Sequence, residues 1–496
     1  MSGVLESDVL VIGGGPTGTT LGLLLARNGV RTLVIDKEAD IYPLPRAAHI
    51  DHESVRVFQK LGLADAVMAT SRSSSRYDFL NAKGEVLLRF EGIDRLAPGG
   101  WPASNMIHQP LVEGILRGAF ANEKNVALKT SWALKEFVEA DSCVRSTIET
   151  PNGPISVTSR YIVGADGARS PVSNAAGIDF EDLQFDEPWL VIDMIVHDAS
   201  RLPQVNLQIC DPMRPTTCVL MGSGRHRWEF MIKPGETAEQ VLEDGFIAKL
   251  MTPWNVADAV TLERKVVYRF NAKVARQWRK GPVLLAGDAA HQMPPFAGQG
   301  LCSGLRDAAN IAWKLGAIIR GGTSDLLLDS YQIEREPHVR AIIGMAMMMG
   351  RTVCITDPEA AAQRDTQMLA ARATGESFDG AVSFPPMDDG CILKGITGAG
   401  AYFAQAIGGE PVRRLDDVLG PGAWLISRST HSVQHRAGVH LLEITIEDAS
   451  LVPFRDHLEA WLSRHDAEAV LVRPDCYVFG TGSAQMLYDA WAARLA

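Results

Sequence analysis

The sequence predicts an α/β protein in three parts: a parallel sheet assembled from distant segments, an antiparallel sheet inserted into it, and a further α/β unit towards the C-terminal end. Three observations carry this reading. A strand–glycine turn–helix–strand run occupies residues 7–37. Two later apolar strands, within 161–170 and 282–291, end on Asp beside Gly. Between them, residues 181–279 abandon that rhythm for the two-residue alternation of antiparallel strands. At 496 residues the chain exceeds one compact core.

In the first run, the apolar stretch 7–12 reads as a buried strand, followed at once by Gly13-Gly14-Gly15-Pro16-Thr17-Gly18. A helix with Leu21, Leu24 and Leu25 on its apolar face stops at Asn28-Gly29, and a second strand, 31–35, ends on Asp36. Each part has a use. Gly13 permits the tight turn, Gly15 lets a pyrophosphate approach the backbone, and Gly18 lets helix and strand close up. Free amides at the positive helix end favour phosphate. Asp36 follows Gly18 by 18 residues, near the ~20 expected of an acid that accepts from ribose hydroxyls. Strand, glycines, helix, strand and acid in order specify a Rossmann-type dinucleotide site. The two later strands place Asp166, within Gly164-Ala165-Asp166-Gly167, and Asp288, after Gly287, at the carboxyl edge where ligands of open α/β sheets bind.

Composition narrows the class. A net charge of -11 argues against nucleic acid, whose phosphates need a clustered basic surface. No apolar run reaches the roughly 18 residues that cross a bilayer, and no basic, cleavable leader precedes the first strand, so a cytoplasmic enzyme is expected. The seven cysteines are scattered without a CxxC pair, which supports neither a metal site nor a dithiol. Nor is there a second complete strand–GxGxxG–helix unit, as a resident nicotinamide domain would need.

The trio of glycine turn, Asp-Gly and Gly-Asp resembles the class A flavoprotein aromatic hydroxylases, which share the para-hydroxybenzoate hydroxylase fold, in particular their 3-(3-hydroxyphenyl)propionate hydroxylase and phenol hydroxylase branch. The segments YPLPRAAHIDHES, WEFMIKPGET and LLAGDAAHQMPPFAGQGLCSGLRDAANIAWKL carry the likeness, over about the first 370 residues. It implies an FAD-dependent monooxygenase that consumes NADH or NADPH and hydroxylates a small phenolic or aromatic acid through a flavin C4a-hydroperoxide. The alternative is a larger, polyketide-like polycyclic substrate. It also implies site roles. Gly13, Gly15, Gly18 and Asp36 hold the ADP half of FAD; Arg46 and Gln109 contact the FAD chain; Asp166 supports FAD and nicotinamide. Gly287-Asp288 takes the ribitol, and Pro294 to Gly300, with Pro295, Gly298, Gln299 and Gly300, runs beside the isoalloxazine.

The expected FAD-binding part comprises 1–75, 105–180 and 280–370; the inserted substrate domain comprises 76–104 and 181–279. There, strands are expected at Trp189–Val196, Gln204–Cys210, Thr217–Met221 and Arg227–Ile232, walling a pocket over the flavin. Arg214, in a Pro-bounded turn between two of them, is the candidate for an acidic substrate tail; Arg225, His226, Arg227 and Tyr268 are weaker ones, and Trp228 and Phe230 read as core. Residues 355–390 look loose. The part 391–496 resembles the thioredoxin-like C-terminal domain of the phenol hydroxylase branch without its CxxC, assigned to folding and homodimer contacts. The base for the phenol is expected between Arg46 and Glu53: Asp51 matches a family position near the substrate hydroxyl, and His49, two residues earlier, shares its side of an extended strand. Asp51 could instead cap the following helix, and His52 and Glu53 are expected to point outward.

Overall fold

Strand Val9–Ile12 is wholly buried, as an unbroken apolar run requires, and lies inside a six-stranded sheet. The computed structural model describes residues 5–43, 46–375, 384–430, 433–436 and 438–496; Leu44 and Pro45 of the segment quoted above lie outside them. The sheet order is Arg279–Lys280, Val283–Leu285, Tyr161–Gly164, Val9–Ile12, Thr32–Asp36, Val126–Thr130, all parallel but for the first. Three segments far apart in sequence therefore end at one sheet edge: Gly13, Ala165-Asp166 and Gly287-Asp288. Helices Pro16–Arg27 and Gly300–Ile319 pack together beside it.

The inserted sheet has eight strands, with Val260–Ala275, Phe180–Val196, Arg225–Met231, Thr216–Met221, Asn206–Cys210, Arg76–Asn81 and Val86–Glu91 following the short His291–Gln292. Alternation gives it two faces. Leu190, Ile192, Cys218, Trp228 and Phe230 form a core with helices Ala238–Val241 and Asp244–Met251. On the opposite face stand Trp189, Val191 and Asp193 beside Arg227, Glu229 and Met231. A small sheet of His49–Asp51, Ser104–Met106 and Arg72–Ser73 lies against helix Gly300–Ile319.

In the C-terminal part, strands Leu442–Thr445, Trp424–Ser427, Ala469–Val472 and Val478–Gly482 form one mixed sheet. Phe403, Trp424, Phe454 and Trp461 pack a core of its own. The stretch expected to be loose instead contains helix Pro358–Ala373: Asp357 caps it by accepting from Ala360, Pro358 starts it, and its alanines propagate it. Residues 376–383 of that stretch lie outside the described residues. Among the described residues no single helix is long and apolar enough to cross a membrane.

The C-terminal part is tied down by a buried ion pair. Arg56, on helix His52–Lys60, donates to both oxygens of Asp416 at 2.8 and 2.7 Å and to the Phe403 carbonyl. Burial opposes the Arg56 charge, and Asp416 restores it. Removing one partner of such a pair strands the other. Asp416→Ala is therefore expected to cost about 3–5 kcal/mol, read as a fall in Tm by calorimetry. The double change Arg56→Met with Asp416→Leu should recover most of it.

Candidate functional site

The glycine turn fits a dinucleotide by what each missing Cβ would meet. Gly13 has φ +110° and a Cβ there would collide with the Ala165 carbonyl; at Gly18 it would collide with Gly13 O. These two glycines are packing requirements. At Gly15 a Cβ meets nothing within 4 Å, so open space faces the start of helix Pro16–Arg27, whose N-terminal amides no side chain caps among the described residues. An open backbone, an uncapped helix end and an adjacent acid make an anion cradle. Asp36 stands beside it, held at 2.9 Å by Arg117, which also donates to Gly14 O.

The other two strand ends complete the groove. Asp166 Oδ2 accepts from Val172 N at 3.0 Å, while Oδ1 is buried without a partner among the described residues; burial raises its pKa. Gly287 turns with φ +62° and Asp288 is exposed beyond it. The sequence reading passed over Asp307, fully buried, which fixes this turn: it accepts from Gly287 N at 3.0 Å and is bridged to His291 at 2.6 Å and Arg335 at 2.9 Å. Gln109 uses its oxygen to hold the Arg46 and Ala47 amides, at 3.1 and 2.6 Å, so it shapes the Arg46 segment through the backbone.

The loop Pro294 to Gly300 forms the far side. Pro295–Ala297 is a single 3₁₀ turn, and Gly298, with φ +64°, leaves it with its carbonyl 3.0 Å from His49 Nδ1. Gln299 precedes Gly300, the first residue of helix Gly300–Ile319, and accepts from Arg306 at 3.2 Å. A carbonyl can only accept, so the His49 ring donates from Nδ1 and keeps a lone pair on Nε2. Burial pushes this imidazole below its usual pKa, against the bond to Gly298 and the charge of Asp51.

Asp51 is committed elsewhere. Its Oδ1 caps helix His52–Lys60 by accepting from Ser54 N and Oγ at 2.9 and 2.8 Å, and its Oδ2 is paired with Arg306. Burial alone would lift the carboxyl, but Arg306, then His52 and the Ser54 amide, hold it well below the usual carboxylate range. A carboxylate so stabilised is a poor proton acceptor. His52 and Glu53 do not point outward. Both are buried: His52 Nδ1 accepts from Gly99 N at 3.0 Å, and Glu53 pairs with Arg306 at 2.7 Å. The sequence hint was Arg306 itself, one of the few charges on a helix buried nearly all round.

Arg214 is not brought to this groove. Both ends of its guanidinium are taken by Glu236, at 2.7 and 2.5 Å, in the turn that holds them. Arg225 pairs with Glu263, and His226 lies in the helix-packed face against Cys218 and Trp228. Arg227 donates to Arg46 O at 2.9 Å.

These glycines separate binding from folding. Gly15→Val should fold with wild-type circular dichroism but retain little FAD, whereas Gly18→Val should lose folded protein. FAD absorbance per chain, read beside the dichroism, checks both.

Residues 6–346 match the FAD binding domain family. The chain is 34% identical over 494 residues to a probable NADH-specific resorcinol 4-hydroxylase of Rhodococcus jostii, covering 95% of this chain and 91% of that one. It is 32% identical to the 3-(3-hydroxy-phenyl)propionate/3-hydroxycinnamic acid hydroxylase of Mycolicibacterium smegmatis, covering 96% and 91%. Among solved structures, the flavin-dependent monooxygenase PieE, in complex with FAD and substrate, superposes with TM-score 0.82 at 22% identity over 99% of both chains. Aklavinone-11 hydroxylase superposes with TM-score 0.79 at 23% identity, also over 99% of both. Those two likenesses speak for the fold alone. The chain belongs to the FAD-binding domain family of flavoprotein aromatic hydroxylases, and it is an FAD-dependent aromatic-ring monooxygenase.

Proposed function

We propose that the chain hydroxylates a small, single-ring phenol with electrons from NADH, His49 serving as the acceptor for the phenol proton. The observation that carries the reading is the His49–Gly298 contact: the loop beside the flavin fixes the imidazole tautomer that leaves Nε2 as the acceptor. When bound, FAD supplies the transfer of reducing equivalents from the nicotinamide to oxygen. The chain's own residues hold and orient the ring and exclude water. Removing the hydroxyl proton makes the ring electron-rich, and a positioned base contributes typically about 10²–10⁴-fold. Asp51 sits two residues from His49, held by Arg306, where its charge favours the imidazolium formed on proton uptake.

Relatives at 34% and 32% identity are named for single-ring phenols and one for NADH. Aklavinone-11 hydroxylase, at 23% identity, speaks for the fold and not for a larger substrate. The reading extends to Gly13, Gly15, Gly18, Asp36, Asp166 and Asp288 as FAD ligands and to the three-part domain division. The C-terminal part enters it as a thioredoxin-like scaffold without a dithiol. A cytoplasmic location agrees with the seven free cysteines.

His49→Gln should keep FAD and near-normal flavin reduction by NADH, yet release hydrogen peroxide in place of most hydroxylated product. Because the imidazole pKa lies below its usual value, wild-type coupling should be full at neutral pH. It should fall only as pH drops below the ordinary imidazole range, and that acid limb should vanish in His49→Gln. Stopped-flow reduction with peroxide assay across pH checks both. Unchanged coupling would take His49 out of the chemistry.

A further inference from the structure

The cofactor-facing side of the eight-stranded sheet carries a row of polar side chains that nothing above employs. Register places Glu229 opposite Thr217, and Thr217 opposite Gln208, so the three stand side by side with Cβ atoms roughly 4.5–5.5 Å apart. Two residues along in one direction lies Trp189, opposite Met231, packed on Phe296 of the loop that leads to Gly298, at 5.6 Å between ring centroids. Two residues along in the other direction, Arg227 holds Arg46 O. There too Asn206 touches Met106 Sδ at 3.4 Å, and Met106 pairs with His49. The row is thus bracketed by the flavin-side loop and the strand of His49.

Its polar atoms await a partner. Gln208 is fully buried; its Oε1 accepts from Tyr77 OH at 3.1 Å, and its Nε2 has no partner among the described residues. The buried Thr217 Oγ1 has none either. Buried donors left unmade are rare in native proteins and ask for a ligand or water. The charges, by contrast, are closed. Asp193, fully buried, faces Arg227 at 2.6 Å and Arg264 at 3.4 Å, and Glu229 lies 3.7 Å from Arg227: two guanidiniums, two carboxyls. Burial also pushes the Glu229 carboxyl up, Arg227 opposing. A further buried anion would find each cation here already facing a carboxylate.

We infer that Glu229, Thr217 and Gln208 form the specificity wall for the ring, binding a second, uncharged hydroxyl and disfavouring a ring with a carboxylate tail. Gln208 Nε2 donates to that oxygen, Glu229 accepts a hydrogen bond from its O–H, and Thr217 does either. This rests on the small-phenol reading above.

The test titrates FAD-loaded enzyme with resorcinol, phenol and 3-(3-hydroxyphenyl)propionate, following the flavin absorbance. Wild type should bind resorcinol tightest and the arylpropionate weakest. Thr217→Val, Gln208→Met and Glu229→Gln should each weaken resorcinol by roughly tenfold, the scale of one hydrogen bond to a buried group, and move phenol much less. Equal loss for both rings would mark these residues as structural and overturn the inference. An arylpropionate bound as tightly as resorcinol would overturn it while leaving the hydroxylase reading intact. No spectral response to any phenol would sink both.

Discussion

One buried guanidinium constrains the site. Arg306 reaches Asp51, Glu53 and Gln299 together, and so ties the strand of His49, the helix after it and the loop Pro294 to Gly300 to a single point. An ion removed from water costs several kcal/mol unless its partners are well placed, so the three segments cannot drift independently. The Gly298 carbonyl keeps its distance from His49 because the residue after it accepts from Arg306, while His49 itself is two residues from Asp51. The tautomer of His49 is therefore set by backbone geometry that an ionic knot holds still.

The same economy of faces shapes the inserted sheet. Its helix-packed side is an ordinary core of Leu190, Ile192, Trp228 and Phe230. Its other side buries Asp193, Arg227, Glu229, Gln208 and Thr217, which no core would choose for stability. Burying polar groups without full partners is tolerated where a ligand completes them, and the unmade bonds lie on the side that meets the loop and the His49 strand. Phe296 packs edge-on against Trp189 and Phe270 at one end of that row.

Much of the frame was legible. An unbroken apolar strand, a glycine turn and an acid at fixed spacing are local signals, and the collisions awaiting a Cβ at Gly13 and Gly18 show why those positions are glycine. The partners of buried charges were not legible. Asp51 reads equally as base or cap, and the arginine that pairs with it lies 255 residues away. His52 and Glu53 looked like a solvated first turn for the same reason. Arg214 drew attention as an arginine between inner strands, but Glu236, 22 residues on, takes it. The front-face row had a signal that went unread: polar Arg227 and Glu229 alternate with Trp228 and Phe230, and two-residue periodicity assigns them to opposite faces.

The C-terminal part belongs to the same ionic logic. Helix Gly300–Ile319 is buried nearly all round, so its charged residues need partners from whatever packs on it. Arg306, Asn310 and Lys314 recur at intervals of four, one stripe of the helix. Asn310 donates to Glu334 and Asp475, Lys314 pairs with Glu334 at 2.8 Å, and Arg473 pairs with Glu334 and Asp475 at 2.7 and 2.6 Å. Tyr477 donates to Glu53 at 3.3 Å, reaching the Arg306 knot itself. Arg473, Asp475 and Tyr477 all come from the C-terminal part. Without them Lys314 and Glu334 would keep each other but lose the balancing charges around them, and Glu53 would lose its second donor. The C-terminal part is thus coupled to the strand of His49 through the helix that holds Arg306.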